Sequence, residues 1–235
     1  MALPKLNESI KYEMEIPSSK ALVTYRPYLV KEEKILLMAF ESQDQKQAMR
    51  AMVDTIVACV FEDITPSQLT TFDVEYMFTQ IRSKSVGETS TVNVKCQALD
   101  CDEMTECEVN LSELTVEGKE TNNVIELTPS VSIEMRYPSY NTFVDNYRED
   151  INETEFGLLM MSNCIAAILT EEERFDTKDT PKSELDEFID SMTNTQFKKV
   201  GEYLQAIPRL KKDVEFTCKC GHENKVTLEG LQDFF

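Results

Sequence analysis

The chain ends in Val214-Glu-Phe-Thr-Cys218-Lys-Cys220-Gly-His222, then Val226-Thr-Leu228-Glu-Gly-Leu231-Gln-Asp-Phe234-Phe235. An earlier stretch has the same plan: Val92-Asn-Val94-Lys-Cys96, then Cys101, then Val109-Asn-Leu111-Ser-Glu-Leu114. In both, two alternating apolar residues run into a cysteine, a second cysteine follows, and a Val-x-Leu-x-x-Leu segment returns. Apolar alternation at period two marks a half-buried strand. Each stretch therefore reads as a β-hairpin with a cysteine pair at its tip, and Gly221 suits a turn that needs positive φ. Two such tips can supply the four thiolates of a tetrahedral structural zinc. The pattern predicts one zinc-ribbon-like site built from Cys96, Cys101, Cys218 and Cys220. If all four hold one ion, the residues between Cys101 and Cys218 form a closed loop.

The spacings, C-x4-C and C-x-C, depart from the usual paired C-x2-C, and this leaves alternatives open. Cys107 could replace Cys101, but it shares strand parity with Val109 and Leu111, which is the pattern of a small core residue. His222, the single histidine, could replace Cys220, although that position reads as a turn. A ribbon that keeps its hairpins without a metal is the competing reading.

The chain has 235 residues, 41% of them apolar, enough for one sizeable core or two small domains. Its 24 basic and 43 acidic side chains give a formal charge of −19. Such a surface repels phosphate backbones, so no nucleic-acid partner is expected; it favours basic partners. The start lacks the basic and apolar regions of a signal peptide, and no apolar run approaches the roughly 20 residues of a membrane span. An odd count of 7 cysteines without an export signal points to a reducing cytosol. Cys59 and Cys164 sit in apolar helical patterns and read as core residues.

Taken in order, Tyr12–Ile16 and Leu22–Tyr25 alternate around Pro17-Ser-Ser-Lys20 and predict an N-terminal hairpin. Helices are expected over Lys31–Phe40, from Asp44 with Met49, Met52, Ile56 and Cys59 on one face, and from Thr65-Pro66 through Ile81. After the first cysteine hairpin, Val124–Leu127 and Val131–Met135 alternate again, so residues 91–137 read as one small antiparallel sheet. Further helices are expected over Tyr140–Arg148, from Asn152 through Leu169, from Ser183 through Met192, and from Thr193 or Asn194 to the stop at Pro208. The expected fold is α+β: a mainly helical body, an N-terminal β-hairpin, and a zinc-ribbon-like antiparallel sheet formed by a mid-chain segment and the C-terminus. Its expected divisions are 1–90, 91–137 with 209–235, and 138–208 as a helical segment packing on the N-terminal helices.

No catalytic constellation is visible, and the chain is expected not to be an enzyme. One histidine leaves little of the usual acid–base chemistry. The 6 glycines are scattered singly, so none cradles phosphate. The acidic runs Asp100–Glu108 and Glu171–Glu173 lack the spacing of a calcium loop.

Both ends of the chain resemble a known family. The carriers are Tyr25-Arg-Pro-Tyr-Leu-Val-Lys-Glu-Glu-Lys-Ile-Leu-Leu-Met-Ala-Phe-Glu-Ser42, Ile207-Pro-Arg-Leu210, Val214-Glu-Phe-Thr-Cys218 and Leu228-Glu-Gly-Leu-Gln-Asp-Phe-Phe235. These resemble the baseplate hub assembly proteins of T-even-type contractile-tailed bacteriophages. Members commonly carry Cys-x-x-Cys-Gly near the end, where this chain has Cys218-Lys-Cys220-Gly221. The resemblance implies a morphogenesis protein of the host cytoplasm, either an assembly factor or chaperone or a subunit of the hub and so part of the virion tail. It implies other hub and tail proteins as partners and leaves oligomeric state open. Phe234, Phe235 and Arg26 are the expected partner-binding residues, the aromatics because they stand at a chain end; the competing reading tucks the two aromatics against the ribbon and last helix and has Arg26 turn the hairpin into the first helix. A zinc-ribbon regulator binding polymerase or nucleic acid is the alternative reading, and the acidic run beside Cys101 opposes it.

Overall fold

The computed structural model describes residues 10–118, 122–148 and 150–234. The chain opens with β1 (Tyr12–Glu15) and β2 (Leu22–Tyr25), then α1 (Val30–Glu41), α2 (Gln45–Cys59) and α3 (Thr71–Ser85). Next come β3 (Thr89–Lys95), β4 (Met104–Asn110) and β5 (Thr115–Glu117). A run of β6 (Val124–Thr128), β7 (Val131–Met135), α4 (Tyr140–Asn146), α5 (Glu153–Cys164), β8 (Ile165–Thr170) and β9 (Arg174–Asp176) follows. The chain closes with α6 (Lys182–Asp190), α7 (Asn194–Gln205), β10 (Arg209–Thr217) and β11 (Glu223–Glu229). The fold is a mixed α+β one in which every strand pairing is antiparallel.

The chain divides into two compact units, with Gly118–Pro208 inserted into the rest. The expected division at 137 does not match the strand pairing. β6 and β7 do not join the cysteine hairpins. They pair with β8 and β9 in a sheet of order β6-β7-β8-β9. Gly118 and Pro208, the ends of the insertion, lie so close that a Cβ on Gly118 would stand 2.7 Å from the Pro208 Cα. Any other residue there would force backbone to move, so the glycine is required by close approach.

The inserted unit buries Ile133, Met135, Met161, Cys164, Ile165 and Val200 between its sheet and helices. Its edge strand β6 is covered by side chains of α7: Gln196 Nε2 donates to the Leu127 carbonyl at 3.0 Å and Lys199 Nζ to that of Glu126 at 2.7 Å. A bound edge of this kind is closed to further strands. The helix expected to run from Asn152 through Leu169 ends at Cys164, and β8 takes over. Ile165, Ile168 and the alternating burial of β8 suit a strand between two neighbours.

In the other unit the N-terminal hairpin packs near α3. Asp73, fully buried, accepts from Ser18 N at 2.8 Å, Ser18 Oγ at 2.6 Å and Thr70 N at 2.9 Å. Thr70 Oγ1 accepts from Asp73 N, which completes a capping box. Thus Thr70 caps α3, whereas the Thr65-Pro66 signal opens only a short 3-10 turn over Pro66–Gln68. The carboxylate sits at a helix N-terminus, where backbone amides and the helix dipole both favour it.

The expected partner-binding Arg26 is held inside the chain instead. Its Nη2 donates to Glu32 Oε1 and to the Ala58 carbonyl, both at 2.8 Å, and Nη1 to the Pro27 carbonyl at 2.9 Å. Glu32 is buried, and its other oxygen accepts from Leu29 N. Desolvation opposes its charge, but the hydrogen bonds from Arg26 and Leu29 outweigh it and hold the carboxyl below its usual range. The pair joins the start of α1 to the end of α2.

A second core of this unit lies between the β3-β4 hairpin and the sheet of order β11-β10-β5. It contains Val92, Val94, Val109, Leu111, Leu210 and Phe234, among others. Phe234 is 0% exposed, and its carbonyl accepts from Ser90 Oγ at 2.7 Å. The ring expected at a partner surface is therefore a core residue, because the turn after Gly230 folds the chain end back onto β3. Phe235 lies outside the described residues. Phe234→Ala should lower unfolding free energy by about 3–5 kcal/mol, read as a lower urea midpoint at unchanged slope; a change under about 1 kcal/mol would contradict this placement.

Glu75 of α3 faces the same core, where the amides of Leu210 and Leu231 donate to its carboxylate. Burial outweighs those bonds and pushes its pKa up to about 7. With a raised folded value, the stability it contributes is fully present below the ordinary value of 4.5 and is lost as pH rises through about 7. Glu75→Gln keeps an accepting oxygen and cannot ionise. The variant should be more stable than the parent at pH 8, by on the order of 1–2 kcal/mol for this partly screened group, and equal to it near pH 4. Urea unfolding at both pH values checks the sign.

Candidate metal centre

The two cysteine hairpins form as their alternation predicts. β3 and β4 pair from Thr89↔Asn110 to Lys95↔Met104, and β10 and β11 from Lys211↔Glu229 to Thr217↔Glu223. Each strand pair ends one residue before its first cysteine, so both cysteine pairs sit in the tips. The first tip is closed by Cys96 N donating to the Glu103 carbonyl at 3.0 Å and Cys101 N to that of Ala98 at 3.1 Å. The second is closed by Cys218 N to the His222 carbonyl at 2.9 Å and Gly221 N to that of Cys218 at 2.8 Å. Gly221 has φ +88°, the left-handed conformation that this short turn requires.

The tips meet. The Sγ atoms of Cys96, Cys101, Cys218 and Cys220 all lie within 4.8 Å of one another. Cys96 and Cys220 are 3.8 Å apart and Cys101 and Cys218 3.7 Å. Neither contact is a disulfide, and all seven cysteines are free. Four sulfurs placed tetrahedrally about 2.3 Å from one ion are about 3.8 Å from each other, so the observed pair distances fit that geometry. Cys96 and Cys218 are buried, Cys101 is half-buried and Cys220 is exposed, which leaves one side of the cluster at the surface.

Neither alternative ligand joins this group. Cys107 lies in the core opposite Val92 and is buried with Val94 and Val109. His222 is exposed in the turn and takes part through its backbone carbonyl. The structure adds Asn224, a residue that the cysteine pattern does not reveal. Its side chain is buried; Oδ1 accepts from Gln97 N at 2.7 Å and Nδ2 donates to the His222 carbonyl at 3.0 Å. One amide side chain thus ties one tip to the other. The available signal was parity: Asn224 shares a strand face with Val226 and Leu228, so a polar group stands where the pattern calls for an apolar one.

The Cys218 thiol is lowered to about 7, chiefly because the Cys220 amide donates to it. The Cys101 thiol rises to about 12: the Glu103 amide pulls it down, but desolvation and the neighbouring sulfurs push it further up. The cluster therefore presents one thiolate near neutrality while proximity resists further ionisation. A divalent cation reverses that balance by displacing the remaining protons.

Fold and site together define an α+β protein in which two β-hairpins converge on a four-cysteine cluster and carry a second unit inserted between them. The family model described as T4 bacteriophage base plate protein matches residues 9–235. The chain belongs to that family and is a T4-type phage base plate protein. No curated protein and no solved structure matches it.

The metal test follows from the geometry. Reduced protein titrated with cobalt(II) should bind one equivalent and show the absorption of a tetrahedral thiolate complex. Cys96→Ser or Cys218→Ser should abolish the signal, and Cys107→Ser should leave it intact. A signal that survives both first changes would dissolve the site.

Proposed function

We propose that this base plate protein acts in building the central hub, through contacts with other tail proteins rather than through catalysis, and that its four cysteines hold a structural zinc. The observation that carries the reading is the four-cysteine cluster in a chain of the base plate family. A closed set of four thiolates leaves zinc no open position for a water or substrate, so the ion would serve stability and not reaction chemistry. It would join residues 117 positions apart, Cys101 and Cys218, and so close a loop that contains the whole inserted unit. Loop closure of that length confers most when it is made permanent.

Charge supports protein partners over nucleic acid. At −19 overall, with Asp100, Asp102 and Glu103 beside the cysteine tip, the surface near the cluster repels phosphate. No helix of the described residues is long and apolar enough to cross a membrane. Assembly in the host cytoplasm before incorporation into, or departure from, the tail is consistent with this reading.

Quantitative mass spectrometry of purified particles and infected-cell lysate is the direct test. The chain should co-purify with hub proteins from the lysate, and its copy number in finished particles then separates a resident subunit from a factor that leaves. Finding it bound to no tail protein in either sample would overturn the hub reading. Cys218→Ser should reduce that co-purification in step with its loss of zinc.

A further inference from the structure

We propose that α1 is a self-association surface, on which two copies of this chain pair antiparallel about a two-fold axis between Leu37 and Met38. Only Glu32, Leu36 and Ala39 of this helix are buried. The opposite side is apolar and open: Ile35 is 55%, Leu37 53% and Met38 70% exposed, and Val30 and Phe40 are at least half exposed as well. The patch continues past Phe40 into a groove of about 560 Å³ lined by Leu37, Met52, Phe78 and Val86. Contiguous apolar patches on monomers rarely exceed about 300–600 Å², and larger or comparable ones mark interaction sites. A standard interface takes about 800 Å² from each partner. The expected pairing is therefore weak and concentration-dependent.

Charge placement selects a second copy as the occupant. Lys34 and Glu41 lie seven residues apart, about two turns, on the same side of the helix as Leu37. Both are exposed, and neither forms an ion pair among the described residues. Leu37 and Met38 fall midway between them. An antiparallel partner crossing at that midpoint sets Lys34 of each copy opposite Glu41 of the other, twice, with the apolar residues in the centre. A parallel partner would set lysine against lysine and glutamate against glutamate. Self-complementarity about a two-fold axis is what an isologous dimer requires, and the charged flanks fix its direction.

Sedimentation velocity of the full chain from about 1 to 100 μM tests the proposal. The parent should pass from monomer to dimer within that range. Met38→Glu should weaken dimerisation at least about tenfold, and Lys34→Glu should weaken it by a smaller factor. The reciprocal exchange Lys34→Glu with Glu41→Lys should restore the parent affinity. All these side chains are exposed, so melting temperatures taken at about 1 μM, where the parent is monomeric, should stay at the parent value. A parent that remains monomeric at 100 μM would overturn the pairing, including the case in which another tail protein covers this face. A dimer indifferent to Met38→Glu, or a charge exchange that fails to restore it, would overturn the antiparallel register.

Discussion

The β part of the larger unit depends on two hairpins being held against each other. A two-stranded hairpin such as β3-β4 is marginal alone, and the three-stranded sheet of β5, β10 and β11 needs its apolar face covered. They become one body because they are joined at both ends. At one end Val92, Val109, Leu111, Leu210 and Phe234 form a shared apolar core. At the other, the Asn224 amide bridges to Gln97, and four sulfurs cluster with two of their pairs 3.7 and 3.8 Å apart. β10 is the common member: Leu210 lies in the core near its start, and Cys218 follows its last residue. The pairing Arg209↔Glu117 brings the two connections to the inserted unit side by side. An insertion there leaves the strand order of the parent unit undisturbed.

What was legible in the sequence followed from regular periods and local caps. Period two exposed both cysteine hairpins, and the duplicated plan singled out the four sulfurs that the structure brings together. Asp44, Asn152 and Thr193 each accept from an amide three residues on, as helix starts do. The errors have physical causes too. Residues 156–169 are apolar on nearly every side, and a continuous apolar run does not separate a buried helix from a buried strand. Only pairing with β7 and β9 decides in favour of a strand at 165–170. β5 has three residues and exists only because β10 returns to pair with it from far along the chain. Asp73 was hidden because its partners include Ser18, 55 positions away.

The misplaced docking surface follows the same logic. Two aromatics at a chain end look exposed when position alone is considered. Yet the core between β3-β4 and β10 is built from valines and leucines on short strands, and Phe234 supplies a large ring that fills it from the end. The helix α1 is the reverse case. It is held by polar means: Arg26 clamps Glu32, and the Leu29 amide donates to the same carboxylate. With its start fixed by that clamp, the helix needs only Leu36 and Ala39 as its apolar anchors, so its remaining apolar residues are not drawn into the core. A helix anchored by charge can leave Ile35, Leu37 and Met38 open without losing its position. A helix anchored by an apolar stripe cannot, because the stripe is what it must bury. The buried Arg26–Glu32 pair thus joins two helices at the start of α1, while the apolar residues on the far side of that helix stay exposed.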